Sequence, residues 1–141
     1  MRYSDFIAPL VYRLSKRMDK YTEKYLTENT KLSLLDWRLL VHVYKYQNSM
    51  LYEIADIMGM PLHEVVCSYL DLKNLELVEI SEGEITVYPT ENGNKIYAEL
   101  LPKISQIQED ILSVISKEER EIFKSIIGKL LPHLNKLNEH E

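Results

Sequence analysis

Apolar residues recur along this chain with two periods. In the first segment Ile7, Val11, Leu14, Met18, Tyr21 and Tyr25 alternate by steps of four and three. That spacing predicts one long amphipathic helix over residues 5–26, with Pro9 in its first turn, where a missing N–H costs little. Ser33 and Asp36 stand at capping-box spacing and open a second helix that carries Trp37, Leu40, Val41 and Tyr44 to about residue 46. Ser49 is the predicted N-cap of a short helix containing Leu51, Ile54 and Ala55. Gly59 supplies the left-handed residue of the following turn, and Pro61 suits the first position of a helix over 61–73.

After Asn74 the period changes to two, through Leu77–Ile80 and then Ile85–Tyr88, with Glu82 and Gly83 between them. This is the pattern of a tight hairpin. Heptad spacing then returns in Tyr97, Leu100, Ile104, Ile107, Ile111 and Val114. A second capping box, Ser116 with Glu119, starts a last helix through Phe123, Ile126, Ile127, Leu130, Leu134 and Leu137. Pro102 and Pro132 are each expected to kink their helix or mark a local end.

Helix, turn, helix and hairpin in this order predict a winged helix-turn-helix: a mainly α fold with a small β-hairpin wing (α+β). The 141 residues fit a single domain. Within it, 32–89 form the helix-turn-helix and wing, while 1–31 and 90–141 are long dimerisation helices. Those terminal stripes exceed what one small winged domain can cover, so a homodimer is expected. No apolar signal region opens the chain, no apolar run approaches membrane-spanning length, and there is one cysteine. The expectation is a cytoplasmic protein with no membrane association.

Charge complicates the picture. The net charge of −5 is unevenly spread: 1–31 carry seven Lys/Arg against four Asp/Glu, whereas 49–88 carry only Lys73 against eight acids. A segment laid out to read nucleic acid is the most acidic part of the chain, the reverse of the usual arrangement.

Four stretches carry a family resemblance: Leu32-Ser-Leu-Leu-Asp-Trp-Arg-Leu-Leu40, Glu53-Ile-Ala-Asp-Ile-Met-Gly-Met60, Pro89-Thr-Glu-Asn-Gly-Asn-Lys95 and the opening of the last helix from Ser116. In order and spacing they resemble the MarR family of dimeric winged-helix transcription regulators, over most of residues 5–137. The resemblance implies DNA binding through the helix that starts at Pro61. Lys73 and Ser49 would make phosphate contacts, Leu62 and Val66 would touch thymine methyls, and His63 and Cys67 would lie near base edges. It also implies a small aromatic ligand in a cleft that Tyr12, Trp37, His42 and Tyr44 would line; the alternative for aromatics at this helical spacing is a place in the core. Two departures stand out. The family's wing carries an Asp-x-Arg-Arg-like stretch where this chain has Glu79-Ile-Ser-Glu-Gly-Glu84. The family's recognition helix begins with Ser, Thr and Arg side chains, and here it reads Pro61-Leu-His-Glu-Val-Val-Cys67.

Two functions therefore stand side by side. One is a homodimeric DNA-binding regulator. The other is a protein-interaction module of the same fold, or a partner of another regulator, that has lost ordinary DNA binding and meets its partner through the stripe of Leu62, Val66 and Leu70. That stripe is either an exposed contact surface or covered by the chain itself. His63 and Cys67 are four apart, but no CxxC or HxxxH pair supplies further ligands, so no metal site is assigned. No cofactor is expected either. Neither a Gly-rich phosphate loop, a G-x-S-x-G elbow nor a zinc-protease helix is present, and the chain is not expected to be an enzyme.

Overall fold

Ser33 opens the second helix as its spacing predicts. Its hydroxyl accepts from the Asp36 N–H at 3.0 Å, and the Asp36 carboxylate accepts from the Ser33 N–H at 3.1 Å. In the computed structural model, which describes residues 2, 5–83 and 85–139, the element order is α1 (Ile7–Asn29), α2 (Leu34–Lys45), α3 (Leu51–Met58), α4 (Leu62–Asn74), β1 (Val78–Ile80), β2 (Val87–Pro89), α5 (Glu91–Leu112) and α6 (Lys117–Asn138). The chain divides into two compact units, Met1–Ser105 and Gln106–Glu141, and the division falls inside α5.

The first unit holds the core. Leu26 of α1, Leu39, Leu40 and Val43 of α2, Ile54 of α3, Val65 and Leu72 of α4, and Val78 of β1 have no solvent exposure. On α4 the buried positions Val65, Ser68, Tyr69 and Leu72 follow i, i+3, i+4, i+7, the inward face of a helix. Ser68 is the polar member of that face. Its hydroxyl donates to Asp36 Oδ1 at 2.7 Å, and the two residues are 2% and 3% exposed. One buried carboxylate thus caps α2 with one oxygen and holds α4 with the other.

The hairpin is fastened to the start of α5. Strands β1 and β2 pair antiparallel with Glu79 opposite Tyr88. Thr90 donates its N–H to the Leu77 carbonyl and its hydroxyl to the Glu76 carbonyl, and that hydroxyl accepts from the Gly93 N–H. Gly93 lies so close to this strand end that a Cβ would come within 2.1 Å of the Leu77 carbonyl oxygen, so only glycine fits without moving backbone.

In the second unit a capping box joins Ser116 and Glu119. Arg120 reaches back to the Glu109 carboxylate at 2.8 Å and to the Leu112 carbonyl at 3.0 Å. No residue of α6 is buried.

Several expectations need correction. Met50, not Ser49, is the N-cap of α3, and the Glu53 carboxylate accepts from its N–H. The Ser49 carbonyl instead accepts from Val87 N–H, tying the segment before α3 to the second wing strand. Pro61 precedes α4 as its N-cap rather than filling the first helical position. The second strand starts at Val87, because Ile85 adopts a left-handed φ of 57° in the turn. The connection is still short: Ser81 and Thr86 close it through paired hydroxyls and a Ser81 N–H to Thr86 carbonyl bond. Pro102 and Pro132 lie inside α5 and α6, which excludes the local end and leaves the kink of the two outcomes expected for each, and Val114 falls beyond the end of α5.

The Asp36–Ser68 contact generates a stability prediction. Ser68→Ala leaves a buried carboxylate oxygen without its donor and is expected to cost about 1–3 kcal/mol in urea unfolding, with an unchanged denaturant slope. A loss below roughly 0.5 kcal/mol would show that this hydrogen bond does not hold α4 to α2.

Candidate nucleic-acid interface

The helix-turn-helix is set by a glycine and a proline. Gly59 ends α3 at φ 67°, and its N–H bonds the Ala55 and Asp56 carbonyls. Met60 N–H returns to the Ala55 carbonyl at 3.0 Å. Pro61 then starts α4 with its carbonyl accepting from Glu64 and Val65. Proline has no side-chain acceptor, and α4 has no side-chain cap. Its first amides therefore keep their capacity for an anion.

Advancing about 100° per residue around α4, the side chains sort into strips of different chemistry. Opposite the buried face lie His63, Cys67, Leu70 and Asn74, all exposed and none carrying a full charge when the histidine is neutral. The acids Glu64 and Asp71 form one flank. Leu62, Val66 and Lys73 form the other, with Leu62 46% exposed and Val66 half-buried. The outward stripe expected through Leu62, Val66 and Leu70 is thus centred one position further round. Leu70 lies on the ridge, and Leu62 and Val66 lie at its edge.

The wing adds no cation. Glu79 and Glu82 are its described acids, while Glu84 lies outside the described residues. At its tip Ile85 is 61% exposed and held at positive φ, an unfavourable conformation for a β-branched residue. Beneath the wing, burial raises the Tyr69 hydroxyl pKa above its ordinary value, with the Glu79 charge and Tyr88 adding to the effect.

Of the four aromatic residues expected to line a ligand cleft, Trp37 and Tyr44 share Tyr97 as a neighbour, while Tyr12 and His42 make other contacts. Tyr97 stacks on Trp37 with centroids 5.8 Å apart and on Tyr44 at 4.0 Å. The Tyr44 hydroxyl donates to Asn94 Oδ1. Its pKa is raised first by burial and then by Tyr97. Tyr12 is 64% exposed, with the Lys16 ammonium over its ring. His42 alone of the four lines an open groove of about 600 Å³ among α1, α2 and α3, together with Lys16, Lys20, Arg38 and Met58. Arg38 is engaged there with Asp19 at 2.5 Å.

Neither Ser68 nor Asn74 stands out as a site residue in the sequence, and Tyr97 is legible there only as a heptad position. A serine between two apolar positions of the inward face was the available signal for the first. Asn74, four residues after Leu70, was available for the second.

This arrangement is a winged helix-turn-helix of the kind found in MarR regulators. Neither a protein-family model nor a curated protein matches the sequence. Solved structures do match its fold. A MarR/EmrR family transcriptional regulator from Acinetobacter sp. ADP1 has a TM-score of 0.88 at 13% identity, covering 96% of this chain and 99% of that one. BpsR of Bordetella bronchiseptica, whose DNA binding is regulated by 6-hydroxynicotinic acid, has a TM-score of 0.80 at 18% identity, covering 92% and 96%. MepR of S. aureus, solved in a complex with DNA, has a TM-score of 0.78 at 16% identity, covering 94% and 99%.

Proposed function

We propose that this protein is a homodimeric transcription regulator that binds DNA through α4. The observation that carries the reading is the open outer face of α4 on a complete helix-turn-helix and wing. The likeness to MepR, a DNA-bound protein of this fold, supports it. Because likeness of fold is a weak guide to chemistry, the surface must carry the rest. Lys73 is the cation on α4, and the uncapped amides at its N-terminus suit a phosphate. Ser49, tied by its carbonyl to the wing, lies just ahead of α3 and completes the set of contacts.

The second reading is a protein-interaction module, and one observation favours it. Across 49–88 Lys73 stands against eight acids, while Leu62 and Leu70 are about half exposed. Such a surface suits a basic protein with an apolar anchor.

The dimer rests on the terminal helices. Phe123, Ile126, Leu130 and Leu134 of α6 and Val11 and Leu14 of α1 each expose roughly half of their surface. Covering such faces typically takes about 800 Å² per partner. Sedimentation at micromolar concentration is expected to give about 33 kDa, twice the chain mass of 16.6 kDa. A stable species at the single-chain mass would overturn the dimer.

DNA titration separates the two functions. Neutralised phosphates contribute a salt slope of about −0.9 each, so this surface is expected to give weak nonspecific binding and a shallow slope. Lys73→Ala is expected to lower affinity for every duplex alike, whereas His63→Ala is expected to change base preference. Absence of binding to any duplex at low salt would contradict the regulator and favour the module. Nanomolar binding to random DNA at physiological salt would contradict the module and assign the phosphate contacts to cations such as Arg13 and Arg17 of α1.

A further inference from the structure

The ridge of α4 has a chemistry that selects among bases. His63, Cys67, Leu70 and Asn74 follow at i, i+4, i+7 and i+11, opposite the buried side chains of Val65, Ser68, Tyr69 and Leu72. At about 1.5 Å per residue, this ridge runs on the order of 16 Å, the length of roughly five base pairs. Guanine is read in the major groove chiefly by Arg or Lys, and cytosine by a carboxylate that accepts from its N4 amino group. The ridge has neither. Lys73 stands on one flank, and Glu64 and Asp71 stand on the other.

Building on the DNA-binding reading above, we propose that this ridge makes the protein selective for A·T base pairs, with Leu70 and Cys67 against thymine C5-methyl groups and Asn74 against adenine. Leu70 is 49% exposed, so it has apolar surface to lose to a methyl group. Cys67 is an exposed free thiol that behaves as a small apolar side chain with a weak donor. The Asn74 carboxamide both donates and accepts, matching adenine N7 and its N6 amino group. The flanks reinforce the choice. Lys73 draws its side of the helix towards a phosphate backbone, and the carboxylates of Glu64 and Asp71 keep the opposite side away from one. Selectivity therefore comes from uncharged contacts, which salt does not weaken, rather than from ionic ones.

The test is selection of binding sites from a randomised duplex pool at about 50 mM salt, followed by replacement of thymine with uracil in the enriched core. An A·T-rich core is expected. Each lost methyl contact is expected to lower affinity about fourfold, the equivalent of ~0.8 kcal/mol for one buried methylene-sized group. In Leu70→Ala, whose half-exposed side chain does not support the core, the uracil effect at the contacted position is expected to fall towards onefold. A G·C-rich core, or unchanged affinity on uracil replacement, would overturn the ridge assignment while leaving DNA binding in place. A pool that shows no enrichment and no duplex binding would overturn the regulator itself and this inference with it.

Discussion

The carboxylate of Asp36 lies where the start of α2 meets the inward face of α4, and its two oxygens do different jobs. One closes the capping box with Ser33, and the other accepts the Ser68 hydroxyl at 2.7 Å. A buried carboxylate is tolerated only when its lone pairs are taken up, so this pairing constrains the angle at which α4 sits. Val65, Tyr69 and Leu72 pack on the same side and agree with that angle. Fixing the inward face fixes the outward one. His63, Cys67, Leu70 and Asn74 face solvent because Ser68 faces Asp36.

The wing is held by a different device. Gly93 admits the Leu77 carbonyl where a Cβ would collide with it, and Thr90 bonds both strand-end carbonyls of Glu76 and Leu77. The hairpin is therefore anchored at its base and short at its tip. With Glu79 and Glu82 on it and Ile85 exposed, it offers a phosphate backbone no cationic side chain. On the proposed reading, the eight acids across 49–88 weaken general attraction to DNA without removing contacts that carry no charge.

Much of this fold is legible in the chain. Capping boxes at Ser33 and Ser116, Gly59 in the turn and the shift from helical to alternating periodicity are local signals, and each is satisfied locally in the structure. The misses have non-local causes. Ser49 has N-cap chemistry, but its backbone is drawn to Val87, so the cap moves to Met50. Ile85 has strand chemistry, yet closure of the Ser81–Thr86 pair places it in a turn. The ridge of α4 is displaced from the expected stripe because helix rotation is set by Asp36, 32 residues before Ser68. Trp37 and Tyr44 meet through Tyr97, whose partners no sequence spacing reveals.

Cys67 offers the most direct measurement of the central claim, that the uncharged ridge of α4 is the surface that meets DNA. It is the chain's one cysteine, exposed, and at the middle of the ridge. The rate at which a thiol reagent modifies it reports whether that strip is covered. Saturating duplex DNA is expected to slow the reaction severalfold, and raising salt until the complex dissociates is expected to restore it. An unchanged rate in a complex shown to be bound would place DNA on another face and contradict the account.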